Sequence, residues 1–93
     1  MLIYDGEFKN NKRDGFGSRF YHDWTPEYTG KWVKGKRHGE GKKWYKDGSF
    51  YIGNFENNKR HGEGKLYFIN GDVYIGEFKN DHMEGEGSFP IFS

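Results

Sequence analysis

Cysteine is absent from the sequence, and the aliphatic residues leucine, isoleucine and valine are scarce. Without cysteine, disulfides, thiolate zinc sites and cysteine nucleophiles are all excluded. No stretch approaches the roughly 18–20 apolar residues of a membrane-spanning helix, and the opening residues are too short for a signal peptide. The net charge of +1 provides no field that would draw the chain to nucleic acid. These absences predict a cytoplasmic protein without a nucleic-acid partner.

Aromatic residues and glycine take the place of the missing aliphatic residues. Phe, Trp and Tyr make up 20% of the 93 residues, and 15 positions are glycine. Each ring can bury about 150–250 Å², so a chain this polar must build its core from rings. The length suits one domain.

One short pattern recurs four times along the chain. Tyr-x-Gly-x-aromatic starts at positions 4, 28, 51 and 74, and Gly-x-Gly follows eleven residues after each start. Recurrence at intervals of 24, 23 and 23 residues indicates a repeat architecture. We therefore predict a single domain over residues 1–93, with repeats at 4–27, 28–50, 51–73 and 74–93, the last of them incomplete.

Within each repeat the side chains alternate with a period of two, which predicts strands rather than helices. Six-residue polar loops such as ENNKRH at 56–61 predict hairpin connections longer than the tightest turns. Asp47-Gly48 and Asn70-Gly71 predict two-residue turns between units. The segment HDWTPE at 22–27 has one extra residue and no glycine, and predicts a wider, bulged connection. The predicted fold is all-β: an elongated, single-layered antiparallel sheet of four tandem hairpins, curved and with an aromatic groove.

Equivalent rings of neighbouring units are expected to form ladders across this sheet, because successive hairpins bring them into register. The glycine between the two rings of a unit, such as Gly53, is expected to leave a slot for a ring from the adjoining unit. A single layer cannot cover every ring, and an exposed aromatic strip marks a partner site; the alternative is that the rings are only the core. The predicted partner groove consists of Tyr28, Trp32, Tyr51, Phe55, Tyr74 and Phe78.

Basic residues recur in pairs in the loops of the first three units. Stacked along one edge of the sheet, they predict a row that attracts an anionic lipid headgroup or an acidic strip on a partner, while solvated loops are the alternative. The row consists of Lys12, Arg13, Lys36, Arg37, Lys59 and Arg60.

Residues that could carry chemistry do not converge. His38 and His61 hold the same repeat position, so we expect them about 10 Å apart, whereas zinc ligands must each lie about 2.0–2.2 Å from one ion. Glu40, Glu63 and Glu86 form a spaced row without a pair suited to acid–base catalysis. Gly-x-Gly opens no helix and lacks a third glycine, which argues against a nucleotide site. We predict no catalytic residue, no metal and no cofactor.

These residues resemble the MORN repeat (membrane occupation and recognition nexus), whose pattern is Tyr-x-Gly-x-Phe/Trp, then Gly-x-Gly, then Asp/Asn-Gly. The units at 28–50 and 51–73 match it as YTGKW…HGEG…DG and YIGNF…HGEG…NG. The unit at 4–27 lacks the late glycine, and the unit at 74–93 stops before the closing turn.

The resemblance implies a non-catalytic scaffold whose groove accepts a partner helix or peptide in a cytoskeletal, ciliary or membrane-associated assembly. It leaves open an anionic-phospholipid-binding module and an accessory or regulatory domain of a larger enzyme. The two end strands of such a sheet are unpaired, so a homo-oligomer is a further alternative. Pro90 would limit that pairing by removing a hydrogen-bond donor.

Overall fold

The fold of residues 3–88, the part of the chain that the computed structural model describes, consists of strands joined by short turns. The strands are β1 (Ile3–Lys9), β2 (Lys12–Phe20), β3 (Pro26–Val33), β4 (Lys36–Trp44), β5 (Phe50–Glu56), β6 (Lys59–Tyr67), β7 (Val73–Lys79) and β8 (His82–Ser88). They lie side by side in chain order, each antiparallel to the next. The predicted all-β sheet of tandem hairpins is therefore confirmed. Pro90, the residue expected to limit edge pairing, lies outside the described residues.

Alternating side chains give the sheet two different faces. In β5, Tyr51, Gly53 and Phe55 lie on one face, which we call the ring face, and Ile52 and Asn54 lie on the other, which we call the open face. Glycine pairs with glycine at the middle of the strands, so an unbroken row of glycines crosses the sheet. The row is Gly6, Gly17, Gly30, Gly41, Gly53, Gly64 and Gly76.

The core is one continuous chain of rings on the ring face. Tyr51 meets Phe55 of its own unit at 5.1 Å between ring centroids and Phe78 of the next unit at 4.9 Å, both edge-on. The tyrosines of successive units line up in one register row across the sheet, as predicted. Edge-to-face packing makes each tyrosine contact Phe or Trp rather than the next tyrosine. The order along the chain of rings is Phe8, Tyr4, Trp32, Tyr28, Phe55, Tyr51, Phe78, Tyr74.

Glycine is needed where each tyrosine lies flat across the sheet. A Cβ on Gly64 would lie 2.3 Å from the Tyr51 hydroxyl oxygen, and one on Gly53 would lie 2.7 Å from it. That hydroxyl donates to the Asn54 carbonyl oxygen at 2.8 Å. The slot that Gly53 leaves is thus filled by the tyrosine of its own unit, not by a ring from the adjoining unit as predicted.

The turns inside the units are shorter than predicted. Asn57 and Asn58, with φ of 50° and 73°, are the two residues that join β5 to β6. Positive φ at both central residues is the type I′ geometry that matches the twist of two-residue hairpins. The other four residues of the loop predicted at 56–61 extend the two strands.

The turns between the units are longer than predicted. Gly48 has φ of 99° and its amide bonds the Tyr45 carbonyl oxygen, while the Tyr45 amide bonds the Ser49 carbonyl oxygen. This is a three-residue loop whose last residue is left-handed.

Trp24, with φ of 68°, occupies the equivalent position in the first unit. Its amide bonds the Tyr21 carbonyl oxygen, and the Tyr21 amide bonds the Thr25 carbonyl oxygen. This connection is therefore no wider than the others. The predicted bulge is confirmed, but within the β2–β3 pairing, where Glu27 is the extra residue.

Candidate functional site

Three arginines cover the rings on the ring face. The guanidinium carbons of Arg13 and Arg60 lie 4.6 and 5.2 Å from the ring centroids of Trp32 and Phe78, and Arg37 lies 5.8 Å from Phe55. Each arginine thereby covers a ring of the following unit. A cation at this distance is attracted to the face of the ring, so the arginines form part of the packed face.

The same arginines also form hydrogen bonds from each hairpin to the next. Arg37 Nη2 donates to the Asn58 carbonyl oxygen at 3.1 Å, and the Arg37 amide donates to Asn58 Oδ1 at 2.9 Å. The Asn58 amide returns a bond to the Arg37 carbonyl oxygen at 3.0 Å. Arg60 repeats this arrangement with Asp81. We call this contact between an arginine and the next type I′ turn the clasp.

Glu27 is a buried carboxylate that holds three cations together. It is 3% exposed, and its Oε2 accepts hydrogen bonds from Arg37 Nη1 at 2.7 Å and Lys43 Nζ at 2.8 Å. Arg19 Nε lies 3.4 Å from Oε1. Desolvation lowers the pKa of Lys43 and of Arg19, although Glu27 opposes the change in both. Sequence reasoning missed Glu27, and the signal that could have found it is the single residue inserted into a 23-residue repeat.

The six residues of the predicted partner groove are all buried. Their side chains are between 0% and 3% exposed, so they offer no surface to a partner. Above them lies a cavity of about 180 Å³, in which Phe55 is the one groove ring and the other lining residues are Arg37, Lys43, Tyr45, Asn58, Arg60 and Asp81. Any contact on the ring face therefore involves cations and Tyr45 before it involves the predicted rings.

The open face carries a trough of about 650 Å³ that follows the row of glycines. Its floor is the backbone at Gly41, Gly53 and Gly64, because a side chain at these positions would point to the ring face. Glutamate and asparagine line one wall, and isoleucine alternates with lysine on the other. Side chains lining it include Glu40, Asn54, Glu63, Lys42, Ile52, Lys65, Tyr67, Ile75, Thr29 and Phe16.

Apolar side chains in this trough reach solvent. Phe16 is 67% exposed, Ile52 40% and Ile75 41%. Beside them, Phe50 and Tyr67 stack at 4.5 Å with 15° between their planes. No second layer of the described residues covers this face, so Phe16, Ile52 and Ile75 stay exposed along the trough.

A family model supports what the geometry indicates. The MORN repeat model matches residues 4–25, 28–50, 51–73 and 74–89. The chain belongs to the MORN repeat family. The resemblance to this family that the sequence indicated is confirmed. MORN repeats are interaction modules for proteins or membranes.

The MORN consensus positions are structural in this chain. The tyrosine and the Phe or Trp of each motif make the chain of rings, while the motif glycine lies beneath the tyrosine hydroxyl. The residues between the consensus positions, such as Ile52, Asn54 and Glu63, face the trough. In this MORN sheet the repeat pattern therefore builds the ring face, and residues between its consensus positions line the open-face trough.

The predicted basic row divides into two groups in the MORN units. Arg13, Arg37 and Arg60 are half-buried in the clasps and over the rings, so they are not a free row. The lysines that precede them, Lys12, Lys36 and Lys59, are exposed. An anionic surface would meet the lysines alone.

Groups that support chemistry stay apart within residues 3–88. No group of three His, Cys, Asp or Glu residues there is placed to hold a metal ion. His61 Nε2 lies 3.5 Å from Glu56 Oε2, and both side chains are substantially exposed. The described residues also include no helix with the length and apolarity that crossing a membrane requires. The side chain of Glu86, the third member of the predicted glutamate row, lies outside what the structure describes.

Proposed function

We propose that this chain is a non-catalytic interaction module that holds an elongated protein segment, helical or extended, along its open face. The observation that carries the proposal is the trough with its exposed Phe16, Ile52 and Ile75. The ring chain on the other side supplies a rigid platform, since its rings are packed at edge-on distances throughout. The predicted groove lining of six rings then acts by holding the sheet in shape, and the partner lies on the opposite face.

The shape of the molecule favours a long, narrow partner. The sheet measures 48 by 27 by 15 Å, and the trough crosses its strands from β2 to β7. A helix or an extended segment would bury Ile52 and Ile75 together. A scaffold in a cytoskeletal, ciliary or membrane-associated assembly, or a regulatory domain beside a catalytic one, would use such a surface to recruit its partner.

Capture of proteins from cell extract, compared between matched variants, tests the location of the surface. Ile52→Thr combined with Ile75→Thr removes apolar surface from the trough while retaining β-branched side chains. Ile69→Thr is the control, because Ile69 is 69% exposed in a loop away from the trough. We expect the trough variant to lose proteins that the wild type and the control both retain. If every protein is retained equally by all three chains, the open face is not the binding surface.

A second function, binding to anionic phospholipid, is favoured by the exposed Lys12, Lys36 and Lys59 at one edge of the sheet. Each lysine near an anionic surface contributes about 1 kcal/mol. Co-sedimentation with vesicles containing phosphatidylserine tests it. Salt-sensitive binding that disappears in the Lys12→Ala, Lys36→Ala, Lys59→Ala triple variant would support this function, and binding that survives the triple change would contradict it.

A further inference from the structure

Glutamates form a row along one wall of the open-face trough and beyond it. Glu63 lies directly opposite Glu77 across β6 and β7, and Glu77 lies directly opposite Glu84 across β7 and β8. Glu40 continues the row on β4, where it faces Asn54 of β5. All four glutamates are exposed. Three adjacent glutamates, with a fourth beyond Asn54, therefore form an acidic edge along the trough rather than a set of scattered surface charges.

This row is unpaired within residues 3–88. None of the ion pairs shorter than 4.0 Å in this part of the chain includes one of these glutamates. Like charges directly opposite each other destabilise a sheet, so Glu63, Glu77 and Glu84 reduce the stability of the free protein. A cationic partner would remove that repulsion.

The opposite wall of the trough differs in chemistry. Ile52 and Ile75 alternate there with Lys42 and Lys65, which are their cross-strand neighbours. Lys42 Nζ is turned over the rings of Trp44 and Phe50 at 4.9 and 4.5 Å. Across its width the trough therefore runs from an acidic wall to one where isoleucine alternates with lysine, and this asymmetry selects which side of a partner faces which wall.

We propose that the segment held in the trough is a basic amphipathic helix, with its apolar side on Ile52 and Ile75 and lysine or arginine along the flank that meets the glutamate row. This proposal rests on the proposed function and adds the chemistry of the partner. From Phe16 on β2 to Ile75 on β7 is five strand spacings, or about 24 Å. A helix of about 18 residues is about 27 Å long and covers that distance. An anionic membrane would be repelled by the same glutamates, so the partner of this face is a protein segment.

Two synthetic peptides test the proposal by fluorescence anisotropy with the full chain. Both are helices of about 18 residues with the same leucine face, and one has lysine where the other has glutamate along one flank. At about 0.15 M salt we expect the lysine peptide to bind at least about tenfold more tightly, since several exposed charge pairs contribute together. Its advantage should shrink as salt is raised.

Two protein variants test whether the glutamate row causes the preference for the lysine peptide. Glu63→Gln with Glu77→Gln should reduce the affinity for the lysine peptide about fivefold while leaving the chain at least as stable as the wild type. Asp5→Asn with Glu56→Gln changes the net charge equally at exposed carboxylates outside the row, and should change the affinity less than about twofold.

The outcomes separate this inference from the proposed function. If both peptides bind equally and Ile52→Thr with Ile75→Thr weakens both, the basic partner is wrong and the docking face stands. If the lysine peptide is affected equally by both charge variants, the glutamate row is not its site and the inference fails. If neither peptide binds, or if the isoleucine changes do not affect binding, the basic-helix inference fails, and the capture experiment with Ile52→Thr and Ile75→Thr decides the open-face function separately.

Discussion

Gly41 and Gly71 separate two reasons why a single residue must be glycine in this sheet. A Cβ on Gly41 would lie 2.3 Å from the Tyr28 hydroxyl oxygen and 2.5 Å from its ring, so space is the constraint. Gly71 has φ of 97° with no atom within 4 Å of an added Cβ, so the backbone conformation is the constraint. The two positions therefore predict different penalties for the same substitution.

Gly41→Ala should destabilise the protein more than Gly71→Ala. Forcing a methyl group into the packed Tyr28 site costs about 2–3 kcal/mol, whereas an alanine held at positive φ costs about 1 kcal/mol. Urea unfolding of the two variants measures the difference. Equal losses of unfolding free energy would mean that the tyrosine can move away from the glycine row without penalty.

Buried tyrosine hydroxyls predict the response of the fold to alkaline pH. Desolvation on burial raises the pKa of Tyr28 and of Tyr51 well above the ordinary value of 10, and it also raises the pKa of Tyr4, Tyr21 and Tyr45. The unfolded chain ionises first, so stability is fully present below pH 10 and is lost as pH rises above it. The lowered pKa values of Lys43 and Arg19 have the opposite effect, but they are two groups against five tyrosines.

Urea unfolding between pH 8 and 11.5 checks this expectation, with tyrosinate absorbance recorded on the same samples. We expect the free energy of unfolding to fall above about pH 10 by up to about 1.4 kcal/mol per pH unit for each tyrosine that stays protonated in the fold. A constant free energy across that range would show that the hydroxyls ionise in the folded state.

At the scale of the element, the clasp joins each hairpin to the next through one arginine and one turn. Position 35 is glycine and positions 58 and 81 are asparagine and aspartate, yet all three residues have positive φ and donate an amide to the preceding arginine carbonyl. The backbone part of the clasp is thus independent of the turn side chain. What Asn58 and Asp81 add is an acceptor for the arginine amide.

Asp81→Gly isolates that addition, because Gly35 shows that glycine fits the turn. The variant keeps the turn conformation and removes the Asp81 side chain, which accepts the Arg60 amide bond at 2.8 Å and lies 3.4 Å from Arg60 Nε. We expect a loss of about 1 kcal/mol and faster hydrogen exchange in β7 and β8, with β1 and β2 unchanged. Unaltered exchange in the last hairpin would show that the backbone bonds alone hold it.

The elements also show how far the sequence alone could predict the structure. The repeat phase predicted the strands and their alternation because glycine and rings recur at fixed positions. It could not predict turn length, since polar residues such as Lys59 and His61 suit a strand end as well as a loop. The sequence also grouped Arg37 with the lysines of the basic row, because it does not show whether an arginine side chain extends into solvent or bonds the next turn in a clasp. A single layer has two faces, and periodicity identified the rings without showing that they would be buried.

At the scale of the whole molecule, stability is distributed along one dimension. The extensive packing of each strand is with its neighbours in sequence, and the ring chain passes from unit to unit through single edge-on contacts. Stability in such an array is a sum of unit terms and nearest-neighbour terms. Loss of one ring should therefore have an effect that depends on its place in the row.

Tyr51→Ala and Tyr4→Ala test this dependence. Tyr51 is fully buried between Phe55 and Phe78, so its loss should cost about 3–5 kcal/mol and should raise hydrogen exchange from β5 to β8. Tyr4 is half-buried on β1, and its loss should cost less and affect only β1 to β3. Tyr51→Ala should also weaken partner binding, because it loosens the platform beneath Ile52 and Ile75. A Tyr51→Ala chain with uniformly raised exchange would indicate one cooperative core, and unchanged partner affinity in the folded variant would disconnect the ring face from the trough.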